Sequence, residues 1–208
     1  MMFTALKSHV EKLKLPGYES QKLMEPSTRL QFPIPEKTVP AAVLILLWIE
    51  NKNIYSVLTK RAVYKGHHSG QVSLPGGKFD HRLDITLEDT AKRETHEELG
   101  IDANQIEIIG SLSPLIVPIS AFCVSPFMGV CHTKPSFKAN PSEVAYTISF
   151  PANKLYEKNN IKQETKTFNN AKVNIPYFNI EMEKVWGATA MILNEFREAI
   201  PSGLLKQY

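Results

Sequence analysis

The chain predicts an α/β fold, a mixed β-sheet covered on both faces by helices. Most strongly apolar segments are short and read as strands. Two longer segments with helical periodicity are inserted among them. One stretch, AAVLILLWIE (41–50), reads as a buried strand. The 208 residues suffice for one domain with a real core, and 43% hydrophobic with 22% charged residues is ordinary for a globular protein.

The elements follow in order. In MMFTALKSHVEKLKL, Phe3, Leu6, Val10 and Leu13 recur at helical spacing, which predicts an amphipathic helix docked on the domain. This start lacks the long apolar stretch and cleavage site of a secretory leader. Pro16, Pro26, Pro33, Pro35 and Pro40 make residues 15–40 an extended lead-in. Residues 1–39 are thus a helix with a proline-rich lead-in, 40–200 the main domain and 201–208 a tail. After AAVLILLWIE, the turn ENKN and IYSVLTKR (54–61) complete a hairpin. AVYKGHHSG (62–70) is a loop, and QVSLP (71–75) is a short strand ending at a Gly76-Gly77 turn.

From Thr86 to Leu99 the pattern is helical. Thr86 is the N-cap, Glu88 and Asp89 place negative charge in the first turn, and Gly100 is the stop. IEIIGSLSPLIV (106–117), FCVSPFMGVCH (122–132) and EVAYTISFP (143–151) read as strands. TKTFN (165–169) and KVNIPYFNI (172–180) predict a hairpin around Asn169-Asn170, and GATAMILNEFREAI (187–200) a second core helix. Trp186 and Phe196 read as core residues.

The net charge of +3 comes without a Lys/Arg block, so a nucleic-acid partner is not predicted, whereas an anionic small molecule would suit it. The longest apolar run, Ala41 to Ile49, is too short to span a membrane. Cys123 and Cys131 stand roughly 26 Å apart if the chain between them is extended, beyond disulfide reach. Free thiols predict a reducing compartment, and the cytoplasm is the expectation.

The chemistry concentrates between Gly70 and Ile101. On a helix over 86–99, Leu87, Ala91, Thr95 and Leu99 form the inner stripe. Glu94, Glu97 and Glu98 share another face, near the C-terminal end where negative charge opposes the helix dipole. Such a face is either solvated surface or a site for a divalent cation, which would reverse the sign of the repulsion. The preceding LPGGKFD favours the cation, because its glycines let the backbone approach a ligand and a carbonyl there could join the carboxylates. Arg93 could orient one carboxylate by a charge-assisted hydrogen bond.

Gly77, Asp84, Arg93, Glu94, Glu97, Glu98, Gly100 and Ile101 together resemble the Nudix box. Asp84 replaces the usual glutamate, with one residue more on either side, and Thr95 replaces an aliphatic residue. Arg61, His68, Gly70, Gln71, Pro75, Gly76 and Gly77 resemble the pattern that marks the coenzyme A pyrophosphatase branch of these hydrolases. The downstream LSPLIVPISAFCVSPFMGV and VWGATAMILNEF are similar to that branch too, whereas Lys65-Gly66 stands where bacterial members often have Leu-Arg. The resemblance covers roughly residues 40 to 198.

It implies a Nudix-like α/β/α sandwich and, over 40–200, a Nudix hydrolase domain. It implies cleavage of the diphosphate of coenzyme A or its derivatives, giving adenosine 3′,5′-bisphosphate and 4′-phosphopantetheine, with Mg²⁺ or Mn²⁺. Glu94 and Glu98 are then metal ligands, Glu97 a ligand or the group that activates water, and the Gly77 carbonyl a further ligand. Arg93 orients a carboxylate. Glu143 reads as a ligand or base, or equally as a surface residue at a strand start. Arg61, Lys65, His68, Gln71 and Gly76 are the substrate-binding candidates. Asp84 caps or braces the loop. The alternatives are a hydrolase of another nucleoside diphosphate derivative such as ADP-ribose, and a Nudix-fold sensing module without turnover. A homodimer is compatible with all of these. The groove for a pantetheine arm is left to residues 1–40 or 150–180.

Overall fold

The computed structural model describes residues 3–29, 32–63, 68–168 and 171–205. Its organising element is strand β1 (Val39–Glu50). Side chains alternate along a strand, so a run that is apolar at nearly every position needs cover on both faces. Ala42, Leu44, Leu46 and Trp48 pack in one cluster with Ala91 and Leu99 of helix α3 (Leu87–Leu99). Ala41, Ile45 and Leu47 belong to a second cluster with Met191, Leu193 and Phe196 of helix α4 (Gly187–Ala199). The sheet is therefore the middle layer between two helices, as the sequence predicted.

Strand β2 (Asn53–Arg61) returns from β1 through Asn51 and Lys52, whose positive φ angles of 48° and 62° make the tight turn. Strand β7 (Phe122–Val130) runs parallel to β1 from Val39↔Phe122 to Leu47↔Val130. Strands β5 (Glu107–Ser111) and β6 (Leu115–Val117) pair antiparallel with β7, and β8 (Val144–Pro151) covers the outer edge of β2. The β1–β2 ladder extends only from Leu47↔Ser56 to Glu50↔Asn53. Beyond it the two strands part. Strand β3 (Val72–Ser73) pairs with β2 and strand β4 (Gly76–Lys78) with β1, and they fill the opening.

The Gly76-Gly77 turn expected from the sequence is instead part of β4, opposite Val43 and Ala42. The glycines serve close approach. A Cβ on Gly76 would lie 2.3 Å from the Ala42 carbonyl oxygen, and one on Gly77 would lie 2.4 Å from the Glu94 carboxyl group. The α3 caps match expectation. Thr86 and Asp89 form a reciprocal capping box, and Gly100 closes the helix at φ 70°.

Helix α1 (Thr4–Val10) docks through Phe3 and Leu6, as its periodicity predicted. The lead-in is not simply extended. It contains helix α2 (Tyr18–Gln21) and a 3-10 turn over Lys22–Met24, with Met24 buried. Ser20 and Gln21 bond to α4, and this tertiary contact supplies what the local sequence lacks. Strands β9 (Ile161–Phe168) and β10 (Ala171–Ile180) form the predicted late hairpin, and its Asn169-Asn170 turn lies outside the described residues. A further strand, β11 (Glu183–Trp186), joins β10 through Glu181 and Met182 at φ 48° and 66°, residue types that do not advertise such a turn. These three strands make a separate sheet. Both cysteines are free.

Gly76→Ala places Cβ against backbone, which cannot give way. We expect it to lower stability by about 2–4 kcal/mol, read as a lower urea midpoint. An unchanged midpoint would contradict the close β1–β4 approach.

Candidate active site

Where β1 and β2 part, a cleft of about 1040 Å³ opens. Glu94, Glu98, Arg61, His68, Gln71, Gly76, Gly77 and Glu143 all line it. The helix brings Glu94 and Glu98, the end of β2 brings Arg61, and the start of β8 brings Glu143. Lys65 and His67 lie outside the described residues. Glu97 does not reach the cleft; its side chain is 44% exposed on the outer side of α3. The helical wheel placed the three glutamates on one face, but the cleft takes only the two that are four residues apart.

Glu98 is 2% exposed. Its Oε1 lies 3.7 Å from Nη1 of Arg61, and its Oε2 has no hydrogen-bond partner among the described residues. Burial pushes its carboxyl up to about 8; Arg61 opposes this, while the Glu94 and Glu143 carboxylates add to it. Glu94 is raised as well, first by burial, against the pull of Arg93. The mutual influence of Glu94, Glu98 and Glu143 places three carboxylates within electrostatic range of one another. The Asn140 amide donates to Glu143 Oε1 at 3.1 Å. His68 Nδ1 and Gln71 Oε1 are 2.9 Å apart, which ties the two ends of the left-handed His68–Gly70 turn.

Arg93 braces the acidic helix. Its Nε and Nη2 donate to Asp84 Oδ1 and Oδ2 at 2.8 and 2.9 Å. Nη1 donates to Glu94 at 2.8 Å and to Glu97 at 3.0 Å, and Nη2 also reaches the Lys78 carbonyl at 3.1 Å. Asp84 also accepts from the Asp80 N–H and the Thr90 hydroxyl, each at 2.9 Å. The Arg93 guanidinium and these donors hold its carboxyl down at about 2 despite burial. Arg93 thus links Asp84 to Glu94 and Glu97, and Asp84 links Arg93 to the loop at Asp80.

The NUDIX domain family model matches residues 38–168. Nudix hydrolase 15, mitochondrial, of Arabidopsis thaliana is 33% identical over 168 residues, covering 76% of this chain and 58% of that longer protein. NudL, an uncharacterized Nudix hydrolase of Yersinia enterocolitica, is 32% identical over 149 residues, covering 69% of this chain and 73% of that one. The chain belongs to the Nudix family. Among solved structures, the M. smegmatis Nudix hydrolase RenU is similar at 21% identity and a TM-score of 0.48, over 58% of this chain and 74% of that one.

Nudix hydrolases in general use divalent ions such as Mg²⁺ or Mn²⁺. Among the described residues, no three His, Cys, Asp or Glu side chains already surround a common point. Arg93 and Arg61 lie beside the Glu94 and Glu98 carboxylates. The donors still fit such an ion. Glu98 offers a buried oxygen with no partner, Glu94 shares the cleft, and the missing side chain of Gly77 leaves room beside the Glu94 carboxyl group.

Sequence reasoning left the remote wall to residues 1–40 or 150–180 without naming side chains. Pro26, Arg29 and Phe32 of the lead-in line the cleft, and none of the described residues of 150–180 does. Trp186, expected in the core, is 39% exposed and lines the cleft as well, because it follows the buried Val185 on β11 and so faces the other way. Phe196 is buried as expected.

Two outcomes test this geometry. Gly77→Ala meets only a movable side-chain end, so we expect a folded protein with metal-dependent activity down at least about tenfold, measured beside its melting curve. Asp84→Asn removes a carboxylate whose folded value lies below its unfolded one. Its contribution is therefore full at neutral pH and is lost as pH falls from about 4 through about 2. We expect the substitution to cost about 2 kcal/mol at pH 7, with the gap to wild type closing in acid. A gap that persists at low pH would contradict the ionised brace.

Proposed function

We propose that the protein is a divalent-metal-dependent diphosphohydrolase acting on coenzyme A or its derivatives. The observation that carries the hydrolase reading is Glu98, a buried carboxylate with a free oxygen facing a cleft that also holds Glu94, Glu143 and Arg61. A buried carboxylate with one distant ion pair to Arg61 and one oxygen left without a hydrogen bond is costly, so local stability does not account for it. The coenzyme A reading rests on the Arg61, His68, Gly70, Gln71 and Gly76-Gly77 pattern. The length and largely apolar floor of the cleft support it.

When bound, the divalent ion neutralises diphosphate oxygens and makes water a better nucleophile. Glu94 and Glu98 would hold it, with Mg²⁺ or Mn²⁺ as the expected ions. Arg93 keeps Glu94 aimed while Asp84 keeps Arg93 in place. Arg61, at the rim of the same end, presents a cation to the anionic substrate. The His68–Gln71 contact shapes the loop over that end. Glu143, hydrogen-bonded to Asn140 and lining the same cleft, is the group we assign to accept a proton from the attacking water. Water adds across the anhydride, one P–O bond of the bridge breaks, and the bridging oxygen leaves on the other phosphate. The products are adenosine 3′,5′-bisphosphate and 4′-phosphopantetheine. Catalysis is positioning and charge stabilisation, without a covalent enzyme intermediate.

A substrate panel with Mg²⁺ or Mn²⁺, its products resolved by mass, tests the reading. Adenosine 3′,5′-bisphosphate from coenzyme A is the expected product. A preference for ADP-ribose would overturn the substrate, and turnover of nothing would favour a sensing module. Glu98→Gln should abolish most activity, by at least about 10²-fold. Because burial already pushes the Glu98 carboxyl toward its neutral form, a neutral amide is a close stand-in, and the melting temperature should match that of the metal-free wild type. Near-wild-type turnover with Mg²⁺ would remove Glu98 from the site.

A further inference from the structure

The floor of the cleft crosses the strands in the order β4, β1, β7, β6. Gly77 lies opposite Ala42, Ala41 beside Val124, and Val124 opposite Leu115. Three ladder steps carry the floor about 14 Å from the glycine pair. Phe32, Ile119, Phe122 and Trp186 line the cleft beyond the acidic end. Trp186 ends β11, and the rest of this far wall comes from two separate segments, the lead-in residues Pro26, Arg29 and Phe32 and the chain from Val117 to Phe122.

One side chain outside the cleft ties together the stretches of chain that lead into these two segments. Glu195 of α4 is fully buried. Its Oε1 accepts from the Gly17 N–H at 3.1 Å, and its Oε2 from the Gln21 amide at 2.7 Å. Both oxygens lie 3.2 Å from the Ser113 N–H. The Gln21 amide also donates to the Ser113 carbonyl at 3.0 Å. Next to it, the Asn194 amide donates to the Ser20 carbonyl at 2.7 Å. Farther along, Arg29 bonds to the Ile116 carbonyl and pairs with Glu25 at 2.6 Å, so the two segments also meet at the wall.

A buried carboxylate held by neutral donors is a costly way to join two segments. Gln21 Oε1 and Asn194 Oδ1 add to the cost, since neither has a hydrogen-bond partner among the described residues. What the arrangement provides is direction, because one group fixes the lead-in and the Ser113 segment relative to each other. We propose that Glu195 is a positioning residue for substrate selection. It sets a rigid far wall that favours diphosphate esters with a long, largely uncharged group over compact ones. The substrate class rests on the function proposed above; the pin does not.

The test compares wild type, Glu195→Gln and Phe32→Ala on coenzyme A and on the more compact ADP-ribose. Dissociation constants are measured with Ca²⁺, and KM and kcat with Mg²⁺. Hydrogen exchange is followed over residues 17–29 and 113–120. Wild type should bind coenzyme A more tightly than ADP-ribose. Glu195→Gln should raise KM for coenzyme A about tenfold with kcat within about twofold, the sign of lost uniform binding. ADP-ribose should be little affected, and exchange should quicken in both segments. Phe32→Ala, a surface change that leaves folding intact, should reproduce the KM effect without the exchange effect. Equal losses on both compounds, or unchanged exchange in Glu195→Gln, would overturn the pin. A wild type that binds the long compound no better than the short one would overturn the selection. A wild type that binds coenzyme A selectively but does not cleave it would overturn the proposed reaction and leave the wall standing.

Discussion

Arg93 has to satisfy Asp84, Glu94, Glu97 and the Lys78 carbonyl with one guanidinium. That demand fixes α3 against β4 and the intervening loop. If the planar fork shifts, Glu94 loses its aim, Asp84 loses its partner, and the glycine strand loses the helix it packs against. Lysine would not substitute, because a point charge on a flexible stem cannot bridge three carboxylates and a carbonyl along fixed directions. The site is in this sense one electrostatic object, with a positive group at the back of its carboxylates.

Stability and function pull in opposite directions on the same helix. The Thr86–Asp89 box and the Asp84 pair stabilise its first half. Its last turn carries the opposite kind of group, a carboxylate that burial pushes toward the neutral form. The protein tolerates this because Ala91, Thr95 and Leu99 anchor the inner stripe and because Arg61 stands close to the buried charge.

Local features were legible in the sequence. The cap, the stop glycine, the inner stripe and the acidic positions of α3 depend on neighbours within a few residues. So does the β1–β2 hairpin. The glycine pair was read both as a turn and as a place of close approach; the approach is present, and its partners Ala42 and Glu94 were not legible because they are not local. The far wall was legible only as a choice between two stretches of chain. Gln21 meets Glu195 across 174 positions of sequence, and neither residue carries a pattern that points to the other. Trp186 was misjudged because a large aromatic residue beside a core helix usually turns inward, whereas here it follows the buried Val185 on β11 and faces the other way.

The parallel ladder between β1 and β7 has a consequence in time. Ala42 pairs with Ser125, and neither can find the other until the whole stretch between them, α3 included, has been searched through. Contacts of such sequence separation form late and slowly. Until they form, β4 has only half of its frame and the glutamates of α3 face water. The last helix, α4, must then arrive to close the second face. Assembly of the acidic cleft is thus coupled to completion of the fold.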